Sequence, residues 1–276
     1  MAFLCNGSNH RTGIKNEVYM TQRFGQDLTN KIFPDITTEF IAEQRGGTAY
    51  KEDGVILDKV TGAVLKRLSY KKKEKTKSGT FDWVNTTSYI TEEKKKGSKS
   101  IQALSDVIDL AKTTKQTSVV TDEVVEQFRH KVHQATEVTL NNFESDDIRS
   151  MIKTLMIDSN KDIHVTVTTL DTDNIYYFPF SDHNIINLVE DANVEFTLRK
   201  KSKKAFCDSR TVMASIIDPV TGLTKMIDTG IRIRLHLNNG VSAMLGVSNT
   251  NPTSVFCVKF QQDNFQEIIK IAKIYQ

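Results

Sequence analysis

A β-hairpin is written into residues 49 to 72. Residues 49 to 58 and 63 to 72 alternate apolar and polar side chains on either side of Asp58-Lys59-Val60-Thr61-Gly62. Gly62 falls near the position where such a turn needs positive φ. Upstream, residues 12 to about 30 read as a helix. Thr12 suits the N-cap, Ile14, Val18, Phe24 and Leu28 recur near helical spacing, and Pro34 ends the element. Residues 36 to 41 read as a short strand. A sheet formed this early, with helical pattern before it, excludes an all-helical fold.

The remainder keeps both periods. Helices are expected over 100 to 114, 121 to 140 and 145 to 157, with Asp122 and Glu123 in a first turn and Ser145 and Asp146 at a cap. Strands are expected at 164 to 168, 174 to 180, 193 to 199, 211 to 218, 225 to 237 and 254 to 260, and a helix at 264 to 274. Asp218-Pro219-Val220-Thr221-Gly222 repeats the first turn, but its flanks diverge, so it is no internal repeat. The expected class is mixed α/β, or α+β, with strands and helices interleaved. Residues 1–158 read as a core with a helical segment and 159–276 as a β-rich region for target recognition, a dimer contact, or both. No Pro-rich or Gly/Ser-rich linker marks the boundary.

Net charge is +3, but three windows (64 to 77, 94 to 99 and 199 to 204) together carry +15, leaving −12 on the other 250 residues. Basic stripes on a mildly acidic body suit a phosphate-bearing partner, with solvated loops as the plain alternative. Apolar runs fall well short of the roughly 20 residues that span a bilayer. Met1-Ala2-Phe3-Leu4-Cys5 is too short and too quickly polar for a signal peptide. Cys5, Cys207 and Cys257 are odd in number and widely spaced, which fits reduced thiols in a cytoplasm. His130 and His133 lack metal-ligand partners and read as a helix face.

Chemistry concentrates on the hairpin. Asp53 opens one strand, and Ser69 and Lys71 sit two residues apart on the other, on one face. A carboxylate beside an ammonium at a sheet edge can serve phosphodiester hydrolysis. The carboxylate holds a divalent ion that lowers the pKa of a bound water, and the ammonium offsets charge in the transition state.

With a helical Glu17 in Gly13-Ile14-Lys15-Asn16-Glu17, then Asp53, then Ser69-Tyr70-Lys71, the chain resembles the PD-(D/E)XK nucleases over roughly residues 10 to 90. It departs from that pattern at Ser69, where the family has an acidic residue. The resemblance implies a restriction-endonuclease-like core with a central mixed sheet flanked by helices. It also implies Mg²⁺, or Mn²⁺ in its place, held by Asp53, with Glu17 and then Glu52 as compensating ligands and the Tyr70 carbonyl as a further contact. Lys71 would orient the nucleophile. The expected activity is a DNA endonuclease of restriction, phage or homing type, with no membrane and no obligate small-molecule cofactor. A homodimer and a bacterial or phage-infected cytoplasm are compatible with it. The alternatives are a non-catalytic nucleic-acid-binding protein on a degenerate nuclease fold, and an assembly protein with unrelated basic loops.

Lys72, Lys73, Lys75 and Lys77 are expected on DNA phosphates. Arg11, before the Glu17 helix turn, suits a phosphate too. Gln44 and Arg45, in Glu43-Gln44-Arg45-Gly46-Gly47, suit base edges, with a glycine-loosened turn as the plain alternative. Trp83 reads as a packing residue, and Asp106 with Asp109 as a helix face. Arg232, Arg234 and His236 share the polar face of an alternating strand.

Overall fold

The computed structural model describes residues 8–46, 50–73, 80–169, 171–200, 206–247 and 255–276, with backbone alone over 8–12. Its strands are β1 (Phe40–Gln44), β2 (Gly54–Asp58), β3 (Val64–Lys73), β4 (Phe81–Thr86), β5 (Ile163–Thr169), β6 (Ile175–Pro179), β7 (Glu195–Arg199), β8 (Ser209–Ile217), β9 (Thr224–Leu237), β10 (Phe256–Gln262) and β11 (Lys273–Tyr275). They form two sheets among helices, so the mixed α/β class is as expected. Among the described residues no helix is long and apolar enough to cross a membrane.

The chain divides into two compact units, and neither is continuous in sequence. One comprises Met1–Phe81, Ile157–Ile186 and Phe265–Gln276, the other Asp82–Met156 and Asn187–Asn264. A crossing near residue 158 is present, but it is one of four. The chain leaves the first sheet after β3 and returns to it at β5, which hydrophobic periodicity along the sequence does not reveal.

The first unit holds a mixed sheet of order β1-β2-β3-β5-β6-β11. β1, β2 and β3 form an antiparallel meander, β5 runs parallel to β3, and β6 and β11 are antiparallel again. The helix Ser8–Arg23 continues through a π-helical turn, Phe24–Leu28, to a last turn at Thr29–Ile32. In the widened turn the Thr29 hydroxyl donates to the Phe24 carbonyl at 2.7 Å. Met20, Phe24, Leu28 and Ile32 bury one stripe of this helix against Ile56, Leu68, Tyr70 and Tyr177 of the sheet. Each such side chain stabilises the unit by roughly 1.5–3 kcal/mol. The first strand begins at Phe40, not 36, because Ile36 N–H closes a turn on the Phe33 carbonyl at 3.0 Å just past the helix.

The second unit has the sheet order β4-β10-β9-β8-β7, with β10, β9, β8 and β7 antiparallel in succession. Phe81–Thr86 proves to be a strand, and the basic window at 94 to 99 overlaps a helix, Ser88–Lys95. Helices Gln102–Thr117, Asp122–Asn142 and Ser145–Met151 lie close to expectation. Thr121 caps the second of them, accepting from Val124 N–H. The third is capped by Glu144 rather than Ser145, through a reciprocal pair with Asp147. Buried Arg210 is satisfied by Glu137 at 2.8 Å and by the Cys207 carbonyl at 2.6 Å. Trp83 is buried and donates to Gln262 at 3.1 Å, so it packs as its sequence context suggests.

Candidate active site

The register of the first hairpin brings the Asp53 region and β3 together. Gly54 faces Leu68, and Asp53 N–H donates to the Leu68 carbonyl at 2.9 Å. Where β2 begins, the Asp53 side chain takes over as acceptor. Its Oδ2 receives Tyr70 N–H at 2.7 Å and the Ser69 hydroxyl at 3.0 Å. Two donors on one oxygen fix the carboxylate's direction. Leu68 and Tyr70 point to the helix-covered face, so Ser69 and Lys71 alternate to the other. Lys71 is half-buried, and its ammonium makes no hydrogen bond or ion pair among the described residues. At Tyr70 it is the N–H, not the carbonyl, that meets the acid.

Lys51, which sequence reasoning passed over, belongs to this group. Much of the residue is exposed, yet desolvation lowers its ammonium to about 8, with the Lys71 charge acting in the same direction and Asp53 opposing it. Its only signal in the sequence is its place two residues before Asp53.

Glu17 and Glu52 are held elsewhere. Glu17 Oε2 accepts from the Gln44 amide at 3.0 Å. Glu52 is buried and pairs with Arg45 at 3.3 Å. Neither hydrogen-bonds the Asp53 cluster, although the Tyr70 hydroxyl, raised first by burial, also feels the charges of Asp53 and Glu17. Arg45 lies over the Tyr50 ring, 5.0 Å from its centroid. Gln44 and Arg45 are thus engaged within the protein, Gln44 through its amide and Arg45 through Glu52 and Tyr50. They border a cleft of about 720 Å³ shared with Ile14, Glu17, Glu43 and Tyr50.

The expected phosphate contacts separate. Lys72 is half-buried and, with exposed Arg67, makes no hydrogen bond or ion pair among the described residues. Lys73 corrects the sequence expectation. It is only 1% exposed, with its ammonium 4.7 Å from the ring centroid of Phe265, the first residue of the C-terminal helix Phe265–Ile271. Lys75 and Lys77 lie outside the described residues, as does the side chain of Arg11, whose backbone is helical. The second basic window is largely neutralised: Lys94 pairs with Asp109, Lys95 with Glu92 and Lys96 with Glu93. Arg232 and Arg234 pair with Asp263 and Asp208.

The donor set defines which ion could fit. Among the described residues no three His, Cys, Asp or Glu side chains converge as a metal-binding group. Asp53 supplies one oriented carboxylate. Mg²⁺ usually retains waters and takes one or two carboxylates plus substrate phosphate oxygens. The site therefore suits an ion shared between Asp53 and a bound phosphate, and does not suit a cage built by protein alone. No family model matches the chain, and no curated protein matches it.

Proposed function

We propose that the chain is a Mg²⁺-dependent DNA endonuclease whose site is the Asp53, Ser69 and Lys71 face of the β2–β3 hairpin. The observation that carries this reading is the pair of hydrogen bonds that orients the Asp53 carboxylate on Ser69 and Tyr70 of β3, the strand that also carries Lys71, whose ammonium has no hydrogen bond or ion pair among the described residues. The helix, meander and mixed sheet also agree with the core that the PD-(D/E)XK resemblance implies.

Asp53 would hold Mg²⁺ together with the scissile phosphate, and such an ion would polarise the phosphoryl oxygen and lower the pKa of a bound water. Ser69 and Tyr70 N–H keep the carboxylate in position. Lys71 orients the attacking water and offsets charge as the phosphorus becomes five-coordinate. Arg67, on the face of Ser69 and Lys71, and Lys72, on the opposite face near the end of β3, hold the DNA backbone. The reading takes DNA as partner, a cytoplasm as compartment and a homodimer as the assembly to check by sedimentation.

Ser69 in place of an acid, and the lack of a converging acidic group among the described residues, favour a second reading: a nucleic-acid-binding protein without cleavage. Incubation of supercoiled plasmid with and without Mg²⁺ separates the two. The nuclease reading expects Mg²⁺-dependent nicked or linear product, with Lys71→Ala inactive but still DNA-binding. Binding without cleavage in any divalent ion supports the second reading instead.

A further inference from the structure

The cleft at the end of β1 is walled by groups of unusual combination. Tyr50 is 53% exposed, and Arg45 packs on its ring at 5.0 Å, holding an aromatic surface in place. Glu17 keeps one oxygen on the Gln44 amide, and exposed Glu43 has no hydrogen bond or ion pair among the described residues.

Charge decides what such a cleft can take. Two carboxylates repel a phosphate. Among the described residues no third acidic, His or Cys side chain converges on them, and Glu17 already spends one oxygen on the Gln44 amide. Arg45, paired with Glu52, already occupies a face of the Tyr50 ring, the place that a partner's lysine or arginine would take. A flat, neutral ring that donates hydrogen bonds satisfies every wall. We infer that this cleft binds an unpaired nucleobase bearing an exocyclic amine, stacked on Tyr50, with Glu17 and Glu43 accepting from the amine. The base must be unpaired, because both faces of a base inside a duplex are already stacked. Carboxylates accept from the cytosine amine, and aromatic rings stack on any base. The inference rests on the nucleic-acid reading and specifies which strand feature that reading selects: a splayed or single-stranded nucleotide beside the hairpin site.

The test is fluorescence anisotropy of the full chain with labelled oligo-dC and oligo-dT in EDTA, so that cleavage plays no part. Wild type is expected to bind oligo-dC about tenfold more tightly than oligo-dT. Tyr50→Ala should lose about tenfold for oligo-dC, while Tyr50→Phe keeps it. Glu17→Gln with Glu43→Gln should narrow the difference between the two oligonucleotides. Tyr50 is largely exposed, so its replacement leaves the core intact. Equal binding of oligo-dC by wild type and Tyr50→Ala, or an equal affinity of wild type for dC and dT, overturns the inference while leaving the nuclease reading standing. Failure of wild type to bind either oligonucleotide or plasmid overturns the nucleic-acid reading itself. Tighter binding of a Lys/Arg-rich peptide than of either oligonucleotide assigns the cleft to a protein partner and also overturns the inference.

Discussion

Asp53 acquires its setting from two neighbours on the opposite strand, Ser69 and Tyr70. That much was legible, because residues two apart on a strand share a face and a hairpin turn fixes which strands meet. What escaped was the third dimension around each side chain. Glu52 looked like a spare ligand and is buried against Arg45, and Lys73 looked like a phosphate contact and is buried against Phe265. Nothing in a local pattern tells which lysine of a lysine-rich strand a distant helix will bury. His164 carries a residue-scale prediction. Burial lowers its pKa to about 4, Lys66 acts in the same direction, Asp35 and Asp182 oppose, and Nδ1 meets the Tyr177 hydroxyl at 2.9 Å. The folded value lies below the unfolded one, so the unfolded chain binds more protons between them. Stability is therefore retained above about pH 6.5 and lost progressively as pH falls toward 4. Urea unfolding across that range should show the loss, and His164→Phe should remove this share of it. An unchanged pH dependence in the variant would contradict the assignment.

At the scale of elements, the hairpin turns were the most legible. Asp58 Oδ1 accepts from Val60 N–H at 3.0 Å and Thr61 N–H at 2.7 Å, and Gly62 has φ 70°. Asp218 and Gly222 repeat the arrangement with φ 67°. Short local hydrogen bonds of this kind need only the residues that make them. The π-helical turn and the short terminal strand β11 were not legible, since both depend on packing against β-sheet residues far away in sequence. Gly54 shows how close that packing is. A Cβ there would sit 2.9 Å from Tyr70 Cζ, and Tyr70 is itself buried between helix and sheet. Gly54→Ala should cost roughly 1–3 kcal/mol through overpacking, read as a lower urea midpoint. Pairing it with Tyr70→Leu, which removes the ring carbons and hydroxyl in the way, should recover part of that loss. No interaction between the two substitutions would sink the steric account.

For the whole molecule, the net charge of +3 conceals which cations are open. Sequence windows found where basic residues concentrate but not which are neutralised, because several partners lie far off in the chain. Lys200 and Arg210 both use Glu137, and Lys94 uses Asp109. The same long separations explain why the two discontinuous units could not be read from pattern alone. In the first unit Arg67, Lys71 and Lys72 remain without ion pairs among the described residues. Neutralising Arg67 or Lys72 should each reduce the slope of log affinity against log salt by about 1. Lys73→Met should leave that slope unchanged, and equal slopes for all three would contradict the division into open and buried cations. The central claim is that Asp53 anchors a phosphodiester hydrolase, and Asp53→Asn is the closest isostere that removes its charge. Wild type and Asp53→Asn, matched in folding and in DNA affinity, are incubated with supercoiled plasmid and Mg²⁺. The account predicts cleavage by wild type and a loss of at least about 100-fold in the variant; equal cleavage by both, or none by wild type in any divalent ion, would contradict it.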